Sequence, residues 1–72
     1  MKVFSQKLQK VLHEQGISQS EFARLIGVTS QSVNGWCTSR TFPRSEVLEK
    51  IPGLTGKPLF WFFMTEEDEK NF

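Results

Sequence analysis

The chain has 72 residues and a mass of 8.3 kDa, which limits it to one small domain. Apolar residues make up 38% and charged residues 24%, a globular balance that excludes wholesale disorder. A single cysteine, Cys37, supports neither an internal disulfide nor a zinc cluster, and no apolar run reaches the ~18 residues of a membrane span. The net charge of +1 is unevenly spread: residues 1–64 hold eight Lys/Arg against four Asp/Glu, while residues 65–72 hold Lys70 against Glu66, Glu67, Asp68 and Glu69. A mildly basic body with a separate acidic tail suits an anionic partner. Residues 1–7 lack the apolar stretch of a secretory leader, which with the free thiol predicts a cytoplasmic protein.

The spacing predicts a first helix over residues 3–15, in which Phe4, Leu8, Val11 and Leu12 form one apolar stripe. Lys7, Gln9, Lys10 and Glu14 fall between them and are assigned to the wet side. Gly16 ends this helix. Ser18-Gln19-Ser20-Glu21 reads as a capping box that opens a second helix of about two turns, carrying Phe22, Ala23, Leu25 and Ile26 and stopping at Gly27. Thr29 or Ser30 then caps a third helix over residues 30–38. The stretch from Thr38 to Pro43 is a loop by composition. A fourth helix is expected from Arg44 or Ser45 to Ile51, with Pro52-Gly53 ending it. A fifth starts at Pro58 and covers Leu59 to Phe63. The fold class is therefore all-α: five short helices in residues 1–64, followed by an acidic tail, 65–72, expected to fray.

The second and third helices have the spacing of a helix-turn-helix. Ala23 is small enough for a steep helix crossing, and Gly27 supplies the positive φ of a tight turn. Val33 and Trp36 face inward and hold the third helix on the core. On the opposite face the third helix carries Ser30, Gln31, Asn34, Gly35 and Thr38. This face is uncharged and rich in amides and hydroxyls. Solubility alone favours Lys and Glu; amides and hydroxyls suit the base edges of a major groove.

Ser18 to Trp36, SQSEFARLIGVTSQSVNGW, resembles the helix-turn-helix of the lambdoid phage repressors and Cro proteins, the broad XRE-type family. The likeness extends over residues 3–63, through the amphipathic first helix, the loop with Pro43-Arg44 and the aromatic segment around Trp61. It implies a lambda-repressor-like five-helix fold that binds double-stranded DNA, commonly as a homodimer on a pseudo-palindromic operator, in a bacterial or phage-infected cell. Carried over by position, it implies base contacts from Ser30, Gln31 and Asn34. It implies backbone contacts from Gln19, Thr29, Ser32, Thr38, Arg40 and Arg44. Thr29 and Ser32 are also placed to meet thymine methyls. Two departures stand out. Gly35 occupies a position where relatives often carry a long reading side chain, and residues 51–57 replace a longer fourth helix.

Phe60-Trp61-Phe62-Phe63-Met64 places aromatics all round one short helix, more apolar surface than a 72-residue core covers. Phe60, Phe62 and Phe63 are therefore assigned to a dimer interface, with Trp61 turned to the core. Cys37 reads as a small buried hydrophobe. His13 has no second histidine or carboxylate cluster in motif spacing, so no metal site, cofactor, small-molecule ligand or enzyme activity is expected. The rival reading is an antitoxin-like or antirepressor module of the same fold whose main partner is another protein.

Overall fold

The computed structural model describes residues 2–71; Met1 and Phe72, the outer ends of the two expected segments, lie outside them. The element order is α1 (Lys2–Gln15), α2 (Gln19–Ile26), α3 (Ser30–Cys37), α4 (Ser45–Leu48), α5 (Ile51–Thr55), a 3-10 helix (Leu59–Phe63) and α6 (Glu66–Lys70), with no strand among the described residues. The chain is all-helical, as its periodicity predicts.

The apolar stripe of α1 forms the floor of the core. Phe4, Leu8, Val11 and Leu12 are buried there with Phe22, Ala23, Ile26, Val33, Trp36, Ile51 and Phe62. Ser18 caps α2 by accepting the Glu21 N–H at 3.0 Å. The reciprocal half of the expected capping box is replaced, because the Glu21 carboxylate turns to Arg24 one turn on. Gly27 closes α2 at φ +86°, a left-handed conformation in which a Cβ would meet the neighbouring carbonyl. The α2–α3 unit then packs on α1 through α3, and the 3-10 helix packs on the same helix.

The structure also differs from the sequence reading at four further places along the fold. Pro52 does not end a helix; it sits in the first turn of α5, where its missing N–H has no partner to lose. Leu59–Phe63 is a 3-10 helix rather than an α-helix, the tighter turn common in short connectors. Residues 66–70, expected to fray, form α6 on a complete capping box: Asp68 N–H donates to the Thr65 hydroxyl at 3.1 Å and Thr65 N–H to the Asp68 carboxylate at 2.9 Å. Lys7, assigned to the wet side of α1, is buried. It pairs with Glu69 of α6 at 3.0 Å and lies 4.4 Å from the Trp61 ring centroid.

Candidate nucleic-acid interface

The second helix of the helix-turn-helix is α3, and both of its ends are tied down. At the start, Thr29 accepts the Ser32 N–H at 3.2 Å, and its hydroxyl meets that of Ser32 at 3.0 Å. At the finish, the last four carbonyls, which no α-helix can satisfy internally, all have donors. Asn34 O accepts the Thr38 N–H at 3.0 Å and the Thr38 hydroxyl at 2.9 Å. Gly35 O accepts the N–H groups of Arg40 and Thr41 at 2.9 and 3.2 Å. Trp36 O accepts the Ser5 hydroxyl, and Cys37 O accepts the Gln9 amide, both reaching across from α1. The Arg40 bond closes a Schellman-type turn that puts Ser39 at φ +64°. Ser39 also donates to the Ser5 hydroxyl at 2.7 Å.

Ser5 and Gln9 were invisible to motif reading, since neither belongs to the helix-turn-helix. The available signal was a small polar residue, Ser5, beside the buried stripe of an amphipathic helix. Burial of a hydroxyl there requires a partner on a neighbouring element.

The inner face of α3 holds Val33, Trp36 and Cys37, with Ala23 of α2 buried against it. Ser30 and Gln31 are exposed on the opposite side. Gly35, grouped with that outer face, is instead buried under the loop that follows α3. A Cβ at this position would run into the Thr41 hydroxyl. Glycine stands there because the Thr41 side chain of the returning loop occupies the space a Cβ would take, not because a reading side chain has been lost.

Asn34 occupies the centre of a polar chain. Its Nδ2 donates to Gln19 Oε1 at 3.1 Å, and Arg40 Nη2 donates to its Oδ1 at 2.9 Å. The order is forced by chemistry. A guanidinium only donates, so the carbonyl end of Asn34 must face Arg40 and the amino end must face Gln19. The Gln19 carbonyl is thereby engaged, and its own NH₂ remains as the donor end. The exposed Thr38 directs its hydroxyl proton to the Asn34 and Gly35 carbonyls, where it helps to cap α3.

Beside α3 lies an open cleft of about 840 Å³ between its first turns, the loop 40–44 and α4. Thr29, Gln31, Ser32, Arg40 and Arg44 line it with one acid, Glu46. Neither arginine lies within ion-pair distance of a carboxylate among the described residues. Both guanidinium charges are exposed and uncompensated at the edge of the amide- and hydroxyl-bearing face. Cys37, behind this face, is 3% exposed, and burial pushes its thiol pKa up. It is protonated at neutral pH and behaves as a core side chain.

The aromatic segment is rearranged relative to expectation. Phe62 is fully buried, so its side chain cannot form a dimer contact; Trp61, expected in the core, is half-buried and packs against it, with Lys7 and Lys57 close to its ring. A 3-10 helix turns 120° per residue rather than 100°, which changes which ring faces inward. Phe60 at 63% and Phe63 at 36% remain exposed, and Phe42 of the loop joins them at 43%. The Phe42 and Phe63 ring centroids stand 6.2 Å apart, each also against Phe4.

An all-helical domain in which α2 packs on α3 across a glycine turn, with an outward polar helix face, defines the class of helix-turn-helix domains. Comparison with protein families agrees: the helix-turn-helix family model matches residues 8–62. The match covers well over half of the chain, which therefore belongs to this helix-turn-helix family, whose members are DNA-binding regulatory domains. Neither a curated protein nor a solved structure gives a significant match.

Proposed function

We propose that the chain is a sequence-specific transcription regulator of the phage repressor or Cro type, acting as a homodimer on a pseudo-palindromic operator with α3 in the major groove. The observation that carries this reading is the outward face of α3. It offers the exposed Ser30 and Gln31 side chains, is anchored at both ends, and is flanked by two uncompensated arginines. Ser30 and Gln31 read base edges. Gln19 donates its NH₂ to a phosphate at the start of α2, and Thr29, Ser32 and Arg44 hold the backbone along the cleft. The positive end of the α3 dipole adds to the same field.

The partner of the exposed aromatics is a second copy. Phe42, Phe60 and Phe63 form that surface, with Phe42 replacing Phe62. Its position next to the loop after α3 supports this choice, because pairing there brings two recognition helices to one side of the assembly. Such a pair would present them about 34 Å apart, one turn of DNA. The site of action is inside a bacterial or phage-infected cell.

The test is selection from a random double-stranded DNA pool with the purified chain at moderate salt. Enrichment of one symmetric site is expected. Failure to enrich any sequence with a folded protein would overturn the reading and favour the rival, a protein-binding module of the same fold that uses the same aromatics.

A further inference from the structure

The chain Gln19–Asn34–Arg40 does more than brace α3. We infer that Arg40 is a base-reading residue, specific for guanine, and that Asn34 is the positioning residue that aims it. This deepens the operator-binding reading above and rests on it.

Three observations carry the assignment. First, Arg40 is held: its Nη2 donates to Asn34 Oδ1 at 2.9 Å, and Asn34 is in turn fixed by Gln19 at 3.1 Å. A phosphate accepts a guanidinium from many directions, so orientation adds little there. A guanine offers two acceptors, O6 and N7, on one edge, and a pre-aimed planar fork matches them. Second, the guanidinium has donors left. One of its five N–H groups goes to Asn34, leaving an edge free for a bidentate pair. No carboxylate among the described residues lies within ion-pair distance to compete for it. Third, Asn34 stands about one turn beyond Ser30 and Gln31 on the same side of α3, so a guanidinium fastened to it continues the line of reading groups. Arg44 contrasts with it. It is exposed at the start of α4, and no side-chain hydrogen bond or ion pair among the described residues orients its guanidinium, as befits a contact to the backbone.

The assignment changes two roles. Arg40 moves from the backbone to the bases. Asn34, with its amide engaged at both ends, moves from reading a base to orienting the residue that does. It also couples the two tasks, because the Gln19 side chain that orders Asn34 is the one facing a phosphate. Docking on the backbone and aiming at the base are then parts of one hydrogen-bonded chain.

The experiment compares base preferences selected from the same random pool by the wild-type chain, Arg40→Ala and Asn34→Ala, each first shown to be folded by circular dichroism. Both side chains reach the surface, so folding is retained. The wild type is expected to enrich a guanine at one position of each half-site. Arg40→Ala should lose that preference alone, binding the guanine site roughly 5- to 150-fold more weakly while the other positions keep their preferences. Asn34→Ala should blur the same position, a result that loss of a merely structural contact does not produce. Two results overturn the assignment while leaving operator binding intact: a wild-type site with no preferred guanine that Arg40→Ala alters, or an equal loss by Arg40→Ala on all sequences. Absence of any wild-type enrichment overturns both readings and is recognised by being present before any substitution.

Discussion

At the scale of single residues, the interface divides into side chains that select and side chains that attract. Gln31 is exposed on the outer face of α3 and is proposed for the first group; Arg44 lines the cleft and is proposed for the second. Gln31→Ala should relax base preference at one position of each half-site, by about 1–3 kcal/mol against the preferred base. Arg44→Ala should weaken binding to all sequences alike and lower the slope of log K against log salt by about one. Binding titrations at three salt concentrations, with the selected site and a scrambled one, separate the two. A sequence-selective loss in Arg44→Ala would contradict its placement on the backbone. In the core, Phe62 is fully buried and packs beside Phe4 at 5.7 Å between centroids. Phe62→Ala should cost about 3–5 kcal/mol, measured by urea unfolding, which is much of the total stability of a small domain.

At the scale of elements, α3 is only eight residues long and cannot be stable alone. Its geometry comes from its neighbours. Ser5 and Gln9 of α1 satisfy its last two carbonyls, and the loop after it satisfies the two before them. Ser5→Ala leaves the Trp36 carbonyl buried without that donor and should destabilise the fold by about 1–3 kcal/mol. An unchanged thermal midpoint would show that water replaces the hydroxyl.

The C-terminal element responds to acid. The Lys7 ammonium bonded to Glu69 holds that carboxyl below the usual carboxylate range, and the Thr65 backbone N–H does the same for Asp68. Both values are lowered on folding. Their contribution to α6 is therefore present above the ordinary carboxylate pKa and disappears as pH falls through the lowered values. Amide protection at residues 66–70, corrected for the intrinsic pH dependence of exchange, should fall on acidification below that range, before the protection of α1 does. Simultaneous loss of both would mean that α6 is integral to the core.

At the scale of the molecule, Phe42 and Phe63 cover Phe4 while Phe60 is the most exposed of the aromatics. Phe60 lies mostly in solvent, so Phe60→Asp should leave the thermal midpoint of the monomer unchanged. If the surface pairs two copies, the same substitution should shift sedimentation to the monomer and reduce affinity for a full symmetric site more than for a half-site. A dimer that survives Phe60→Asp would move the interface elsewhere.

Much of the architecture was legible in the sequence because it is written in short-range chemistry. The cap at Ser18, the glycine turn at Gly27, the cap at Thr29 and the 3.6-residue stripe of α1 each depend on residues no more than a few positions apart, and each stands where its spacing places it. The polar face of α3 was equally readable, since helical periodicity alone puts Ser30 and Gln31 opposite Val33 and Trp36. The tertiary structure decided what depends on which elements meet. Lys7 is buried because α6 brings Glu69 to it and the 3-10 helix brings Trp61. Gly35 is buried because the loop at Thr41 returns over it. Asn34 lies between Gln19 and Arg40, residues 15 and 6 positions away, because α2 and the loop converge on the same side of α3. Composition and period assign a side chain to a face of its own helix; only the packing of several elements determines which partners it finds there.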